Sequence, residues 1–365
     1  MARRRRKKLN KRAVILASVL GLFLVVAVVV ALAGTDDREA LFAKANALHD
    51  EGKYDLANRL YARAAQGAAV DLRAKIAYRQ GVNFHEWLER DGHTMTPVER
   101  RDKQRMMFGS LRKALQDKAD YHEARRFLLD RYWQGGMVVA ALRLPDLAEE
   151  QRDAVARQAQ LFLDCAEQHV QRTNEASTHH QIGLMYGARQ RNEDDRTRAL
   201  EHFAKAVELA PQDLSYRVAL CGELAEQDKL AQAKVQYERA VAELENKAAA
   251  RAAYARFLVS RGDKEAARAQ ADAARQASPD AATWSALGAV TVALDDRQRA
   301  QEDFEQALTL DPAHLPAYRG LGGLHLRAGA FAKAVQVYRG GLQALRGVLE
   351  DPKAAADERQ RYQSI

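Results

Sequence analysis

The sequence predicts an all-α protein built from stacked pairs of antiparallel helices. Alanines recur with steps of 34, 34, 33 and 34 residues, and a small residue follows each alanine by seven positions. A fixed period of this length is typical of helix pairs that bury their apolar faces only against neighbouring pairs. The alanines are Ala199, Ala233, Ala267, Ala300 and Ala334, and an aromatic residue follows four of them by four positions: Phe203, Tyr237, Phe304 and Tyr338. Ala271 stands where the fifth aromatic would be.

The ends of the repeating units and one irregular spacing refine this prediction. Prolines close three units, at Pro211, Pro279 and Pro312, and proline is common just after a helix because it cannot continue one. From Gly183 to Ala199 the chain holds about four residues more than the other units do. Because turns accept insertions at little cost in free energy, we expect the extra residues, around 192–195, to lengthen one turn between helices.

A similar unit lies near the N-terminus, in which Ala45 and Ala57 are followed by Tyr61 and Ala64. The two alanines mark the point where antiparallel helices cross, since small side chains let the backbones approach. Gly52 falls in the turn between them, where glycine takes a left-handed conformation at no steric cost. We therefore predict a first helix pair at residues 35–70.

The repeat also has the spacing of a known family. Trp284-x2-Leu287-Gly288, followed by Ala300-x3-Phe304, resembles the tetratricopeptide repeat (TPR) signature, and Tyr318-x2-Leu321-Gly322 opens the next copy. The resemblance covers five units at residues 176–347 and the unit at 35–70. It implies an α-solenoid, a right-handed superhelix of helix pairs, whose first helices line a concave groove that binds extended peptides or a partner's helix.

The intervening residues, 71–175, are less regular. Leu72 to Leu88 predicts a helix, and Thr96-Pro97-Val98-Glu99 predicts a helix start with a capping threonine, an early proline and a capping-box glutamate. We interpret this region as two to three irregular repeats of the same solenoid, with a separate helical insert as the alternative. The polar residues 348–365 predict a capping segment for the last apolar face, or a chain that stops within a repeat.

The N-terminus predicts a membrane anchor. Residues 13–34 are almost wholly apolar and long enough for a helix that spans about 30 Å of hydrocarbon. The basic tail at 1–12 carries eight lysines and arginines, which should stay on the cytoplasmic side and leave the solenoid in the periplasm or its extracytoplasmic equivalent. A signal peptide cleaved after Ala33 is the alternative. Ala13, Ala17 and Gly21 form a ridge of small residues that permits, without requiring, a homodimer.

The charge distribution argues against a nucleic-acid partner. The chain has 57 basic and 49 acidic residues, a formal net charge of +8. Removing the eight basic residues of the tail leaves the remainder formally neutral. Nucleic-acid binding relies on basic contacts to phosphates, so we expect no such partner for the solenoid.

We found no catalytic or cofactor-binding motif, such as a Gly-rich phosphate loop or a His-Glu-x-x-His sequence. The adjacent His179 and His180 point about 100° apart on a helix, so we interpret them as surface or groove residues and not as metal ligands. His85-Glu86 and Asp194-Asp195 are interpreted as solvated, and Cys165 and Cys221 as small apolar residues. We therefore predict no enzyme, no cofactor and no metal.

The TPR resemblance assigns a groove to the first helix of each pair. Its predicted lining is small and apolar with scattered arginines, and includes His180, Gln181, Leu184, Val218, Glu226, Arg256, Ser285, Val292, Arg319 and Arg327. The predicted function is a membrane-tethered scaffold for unidentified protein partners outside the cytoplasm. An accessory protein in the export or assembly of a polysaccharide or envelope component is the alternative. Trp87 and Trp133, which lie outside the regular repeats, would then offer the sugar-binding surface.

Overall fold

A computed structural model describes residues 37–134, 148–189 and 192–350. Within these ranges the chain forms sixteen α-helices and no strand, which confirms the all-α prediction. In chain order they are α1 (Arg38–Asp50), α2 (Tyr54–Ala65), α3 (Val70–Asp91), α4 (Pro97–Asp117), α5 (His122–Gln134), α6 (Glu149–Thr173), α7 (Ala176–Arg189), α8 (Glu193–Leu209), α9 (Leu214–Glu226), α10 (Leu230–Glu243), α11 (Lys247–Ser260), α12 (Lys264–Arg275), α13 (Ala281–Ala293), α14 (Arg297–Leu310), α15 (Leu315–Arg327) and α16 (Phe331–Glu350).

The helices belong to two compact units, divided after residue 136. The first contains α1–α5 and the second α6–α16. The irregular region predicted at 71–175 therefore contributes helices to both units. The predicted basic tail, the transmembrane segment with its ridge of small residues, and residues 351–365 of the capping segment lie outside the described ranges. Of the helices that the structure describes, none combines the length and apolar character needed to cross a membrane.

In the first unit, α1 and α2 pack around the predicted small residues. Ala45, Ala57 and Tyr61 are fully buried, and the Tyr61 hydroxyl donates a hydrogen bond to Asn46 Oδ1 at 2.7 Å. Gly52 has a φ of +71°, so the left-handed turn predicted there is confirmed. The sequence thus identified both the crossing point and the turn of this pair.

The helices α3 and α4 are longer, with 22 and 21 residues. The Thr96 hydroxyl accepts from the Glu99 amide and the Glu99 carboxylate accepts from the Thr96 amide, so the predicted capping box is present. At the other end of the pair, Arg73 donates to the Asp117 carboxylate at 2.9 and 2.7 Å. The predicted helix at 72–88 is confirmed and extends by two or three residues at each end.

In the second unit, the alanine ladder lies at the centre of each helix pair. All five ladder alanines are at most 1% exposed, and Phe203, Tyr237 and Phe304 are 3–4% exposed. The repeat pattern predicts that Tyr338 is buried like the other ladder aromatics, but it is 37% exposed, so that expectation is wrong. Tyr338 lies on α16, the last helix that the structure describes, and no described helix packs over it as α15 packs over Phe304.

The aromatic of the second helix packs against a small residue of the first. A Cβ atom added at Gly183, Gly288 or Gly322 would come within 2.7 Å of the rings of Phe203, Phe304 and Tyr338, respectively. In the intervening pairs, Cys221 and Ala255 hold the corresponding positions. Cys221 is fully buried and its thiol donates to the Ala233 carbonyl at 3.6 Å, while burial raises the pKa of this thiol to about 12. A small residue is therefore needed at this position of the first helix, because a larger side chain would clash with the ring of the second helix.

The extra residues between Gly183 and Ala199 extend a helix and not a turn, so that prediction is wrong. Only residues 190–192 separate α7 from α8, while α8 begins six residues before Ala199. The other second helices of this unit begin three residues before their ladder alanine. Four residues make about one helical turn, so a helix absorbs them without rotating its apolar face away from its partner.

Candidate functional site

The first helices of three consecutive pairs enclose a pocket of about 470 Å³ in the second unit. α9 and α13 contribute their N-terminal turns, and α11 contributes residues from Ala249 to Arg256. The lining residues are Leu214, Ser215, Val218, Ala249, Ala252, Ala253, Arg256, Asp280, Ala282, Thr283 and Ala286. The pocket therefore lies along the surface that the TPR resemblance assigned to the groove, and we call these residues the groove pocket.

A capping residue precedes each of these helix starts. The side chains of Asp213, Asn246 and Asp280 accept hydrogen bonds from backbone amides in the first turns of α9, α11 and α13, at 2.8, 3.0 and 2.7 Å. Such caps satisfy amides that would otherwise lack partners at a helix N-terminus. Two of the capping groups are carboxylates, whose negative charge interacts favourably with the positive end of the helix dipole. The first-turn amides beside the pocket are thus already satisfied by the protein's own side chains.

Small side chains give the groove pocket its shape. Five alanines line it, and Val218 and Leu214 add apolar surface without filling it. Arg256 is exposed at one side and Asp280 at another, so the rim offers one cation and one carboxylate. This arrangement suits the burial of small or medium apolar side chains from a peptide, with a charged group of the peptide held at the rim.

Of the ten predicted groove residues, the pocket contains Val218 and Arg256. Val292 instead packs on the core around Phe304, and Ser285 is only 7% exposed. Glu226, Arg319 and Arg327 are exposed, while His180, Gln181 and Leu184 are half-buried. The role of these ten residues in binding stays a prediction.

The residues that were missed lie nearer to the helix N-termini. Ser215, Ala249 and Ala282 each come three residues before the repeat position that Val218 and Ser285 occupy, whereas Ala286 comes one residue after Ser285. The capping residues before each first helix could have located these positions, because they mark where the helix starts and hence which of its turns line the pocket.

His180 packs between α7, α8 and α9, so its ring is only partly exposed to the groove. Its ring lies 4.8 Å from the ring of Tyr216 and 5.8 Å from that of Phe203, measured between centroids. Burial lowers the pKa of His180, although the charge of Asp213 opposes the shift. The neutral imidazole therefore acts as an aromatic spacer between α7, α8 and α9.

His179 belongs to a buried polar cluster, so its interpretation as a surface or groove residue is wrong. It is 8% exposed, its Nδ1 lies 2.9 Å from Nδ1 of His202, and its Nε2 lies 3.1 Å from Asn174 Oδ1. His202 also faces Glu167, whose carboxylate accepts from the Tyr186 hydroxyl at 2.8 Å. Burial and the charge of His202 lower the pKa of His179 to about 4. Among the described residues, no group of three ligands is arranged to hold a metal ion.

Two other positions interpreted as solvated have partners in the structure. Asp195 is buried, and Arg189 Nε donates to its carboxylate at 3.0 Å. His85 lies 2.7 Å from Arg131 Nη1, measured to Nε2. Both contacts join residues on different helices, and sequence alone gives no sign of them because nothing in the local pattern shows which helix faces which.

A second pocket of similar size lies between α8, α9 and α10. Leu200, Leu220 and Val235 line it, together with Arg239. It is formed mainly by second helices, so it opens away from the groove pocket. The groove pocket differs in reaching across three repeats through equivalent helices.

Part of the chain matches a known protein family. Residues 292–356 match the tetratricopeptide repeat family. This match supports the TPR superfamily. It covers the end of the array, where the ladder alanines Ala300 and Ala334 and their aromatics lie, and the helix pairs described above continue the same spacing upstream.

A search of solved structures found matches at low sequence identity. Yeast Tom70 has 15% identity and a TM-score of 0.45, with 84% of this chain and 63% of that chain covered. A tetratricopeptide repeat protein from Parabacteroides merdae has 15% identity and a TM-score of 0.43, covering 79% and 98%. The pilF protein of Pseudomonas aeruginosa has 22% identity and a TM-score of 0.34, with 52% of this chain and 86% of that chain covered. The chain thus spans less than two thirds of the Tom70 chain. No curated protein matches the sequence.

Proposed function

We propose that this chain is a TPR scaffold tethered to a membrane, and that its groove pocket holds a segment of a partner protein outside the cytoplasm. The observation that carries the proposal is the pocket formed by equivalent turns of α9, α11 and α13. TPR arrays suggest protein-protein interaction, and a depression lined by alanines leaves room for the side chains of another chain.

The chemistry of the pocket indicates what the bound segment offers. Apolar side chains of moderate size would contact Val218 and the alanines, and a carboxylate of the segment would pair with Arg256 at the rim. Most of the binding free energy should come from a few buried apolar anchors, since exposed charge pairs contribute little to affinity. The scaffold needs no catalytic group for this role.

The membrane tether is proposed from the sequence of residues 1–34. Its apolar stretch has the length of a bilayer-spanning helix, and the eight cations before it favour a cytoplasmic N-terminus. The array after this stretch would then face the periplasm or its equivalent, where it would keep partner proteins close to the membrane surface.

The polysaccharide-related alternative receives less support. Sugar binding needs an exposed aromatic face, but Lys103 Nζ lies 3.5 Å from the centre of the Trp87 ring. The Trp87 ring also stacks at 6.5 Å on Phe84 with an interplanar angle of 8°. One of the two tryptophans named for this role is therefore already engaged within the protein.

A co-purification experiment tests the proposed function. The double variant Ser215→Trp, Ala282→Trp fills the groove pocket from two exposed positions, whereas Ala269→Trp places the same bulk at an exposed position on α12 outside it. We expect a partner that co-purifies with the wild-type chain and with Ala269→Trp from mild detergent extracts, but not with the double variant. A partner retained by all three chains would contradict the assignment of the groove.

A further inference from the structure

The last described helix pair exposes an apolar stripe. Phe331, Val335, Tyr338 and Leu342 succeed one another on α16 at intervals of four, three and four residues, so they lie along one face of the helix. Their exposed fractions are 67%, 48%, 37% and 66%. Scattered apolar residues are normal on a surface, but a contiguous set marks an interaction site. We call these four residues the α16 stripe.

The preceding repeat shows what covers such a surface. Tyr338 corresponds to Phe304 and Leu342 to Leu308, one repeat earlier. Phe304 is 3% exposed, and Leu308 packs on the same cluster, which includes Ala317 and Leu321 of the next helix, α15. The part of the α16 stripe formed by Tyr338 and Leu342 therefore corresponds to a surface that another helix covers in the preceding repeat, whereas Phe331 and Val335 correspond to the exposed Arg297 and Gln301.

The same end of the array is basic. No aspartate or glutamate occurs between Asp311 and Glu350, whereas five lysines and arginines do: Arg319, Arg327, Lys333, Arg339 and Arg346. This segment therefore carries five positive formal charges and no negative one, within a chain that is formally neutral after residue 12. All five side chains are exposed.

Two of the arginines border the α16 stripe. Arg339 follows Val335 by four residues and Arg346 follows Leu342 by four, which places each about one helical turn along the same side of α16. Lys333 lies two residues after Phe331, about 200° around the helix axis, and so points away from the stripe. The exposed surface is therefore an apolar strip with a positive edge on one side.

We propose that the α16 stripe is a second binding surface, which accepts an acidic amphipathic helix of a partner protein. The apolar face of that helix would pack on Phe331, Tyr338 and Leu342 at an interaxial distance of about 8–10 Å, and its carboxylates would pair with Arg339 and Arg346. Complementary charge at such an edge selects the partner and speeds its association. The surface is separate from the groove pocket, so the scaffold would hold two partners at once.

Fluorescence anisotropy with two synthetic peptides tests this proposal on the full chain in a neutral detergent. Both peptides form an amphipathic helix with a leucine face, bordered by glutamates in one and by lysines in the other. We expect the glutamate peptide to bind roughly tenfold more tightly than the lysine peptide. Leu342→Ser and the pair Arg339→Glu, Arg346→Glu should each weaken it by a similar factor, whereas Lys333→Glu, the matched charge reversal off the stripe, should change it less than about twofold.

Four results would overturn the proposal. Equal affinity for the two peptides would remove the role of the arginines. A dimer of the chain that Leu342→Ser dissociates would show that a second copy covers the stripe. Much tighter peptide binding after deletion of residues 351–365 would show that the chain covers it itself. Binding to phosphatidylserine vesicles that needs Arg339 and Arg346, with no peptide binding, would assign the surface to a membrane.

Discussion

Arg275 and Asp303 form a two-point ion pair that joins neighbouring repeats. Arg275 Nε and Nη2 donate to the two carboxylate oxygens of Asp303 at 2.9 and 2.6 Å, and Thr291 Oγ1 lies 2.8 Å from the same carboxylate. Arg275 follows Ala271 by one helical turn, and Ala271 is the ladder position that lacks an aromatic. The ion pair therefore connects α12 to α14 in the one repeat that has no ring to pack there.

We expect removal of this pair to destabilise the array. Burial opposes the charge of Arg275, but the hydrogen bonds and the charge of Asp303 outweigh it and raise the pKa of the guanidinium. Asp303→Ala removes the two-point partner of the largely buried arginine and leaves it the half-exposed Asp272 at 2.8 Å, which should lower the free energy of unfolding by about 2 kcal/mol. Urea unfolding followed by circular dichroism measures the change.

The matched control is the exposed pair formed by Lys264 and Asp295, which also connects neighbouring repeats, at 3.0 Å. Its side chains are 50% and 83% exposed, so Lys264→Ala should cost less than about 1 kcal/mol. If the two substitutions had equal effects, the ion pair of Arg275 and Asp303 would have no special part in joining the repeats.

Replacement of Gly288 by alanine tests how closely the Phe304 ring packs against the backbone of α13. An alanine there places its Cβ 2.7 Å from the Phe304 ring, and overpacking of this kind costs about 1–3 kcal/mol. The better helix propensity of alanine returns up to about 1 kcal/mol, so Gly288→Ala should destabilise in net terms. Phe304→Leu in the same chain should restore part of the loss.

Gly222 provides the control for this substitution. It is an exposed glycine on α9, and a Cβ added there would meet nothing within 4 Å. Gly222→Ala should therefore stabilise the protein by up to about 1 kcal/mol. The opposite signs of the two glycine substitutions, measured as shifts in urea midpoint, distinguish ring contact from general helix propensity.

The buried histidine pair predicts a dependence of stability on pH. The folded pKa of His179, about 4, lies below its unfolded value near 6.5 because of burial and the charges of His202 and Lys205; Glu167 and Glu208 oppose the shift. As the pH falls from 6.5 towards 4, the unfolded state therefore binds a proton at this residue and the folded state does not, so stability falls in this window.

The measurement is urea unfolding at about pH 7.5 and pH 5 for the wild type and for His179→Gln. His85 and His180 also have lowered pKa values and act in the same direction, so the wild-type difference alone does not isolate His179. Glu167 has a lowered pKa and loses its contribution only below its usual range. We expect the variant to lose a smaller part of its stability on acidification; an unchanged loss would contradict the assignment.

The proposed tether predicts a fixed orientation in the membrane. Reporters fused after Gly34 and at Ile365 should both be active only outside the cytoplasm, because the basic residues of the tail stay on the cytoplasmic side. Replacing Arg3, Arg4, Arg5 and Arg6 by glutamine should weaken that bias. A reporter at Ile365 that is active in the cytoplasm would contradict the proposed location.

The repeat lattice could be predicted from the sequence because it depends on local spacing. The crossing at Ala45 and Ala57, the turn at Gly52 and the cap at Thr96 are set by residue types at fixed separations. The left-handed turns at Asp228 and Asp295, with φ of 59° and 65°, were not anticipated, because aspartate takes this conformation less often than glycine. The exposure of Tyr338 could not be foreseen either, since it depends on whether another helix packs over α16.

The site was harder to predict than the fold. Val218 and Arg256 line the groove pocket, and their role in binding stays a prediction; contacts between helices decide where the other predicted residues lie. His179 and Asp195 looked polar and solvated in sequence, yet His202 and Arg189 reach them from other helices or turns. Ser285 holds the same repeat position as Val218, yet it is only 7% exposed and the next residue, Ala286, lines the pocket.

Site-specific photocrosslinking tests the central claim, that the groove pocket binds a partner protein. A benzophenone side chain placed at Ala282, in the pocket, should give one defined crosslinked protein in intact cells, while the same group at Ala269, outside it, should not. Ser215→Trp, which occupies the pocket, should abolish the product at position 282. Equal crosslinking from both positions, or a product that survives Ser215→Trp, would contradict the claim.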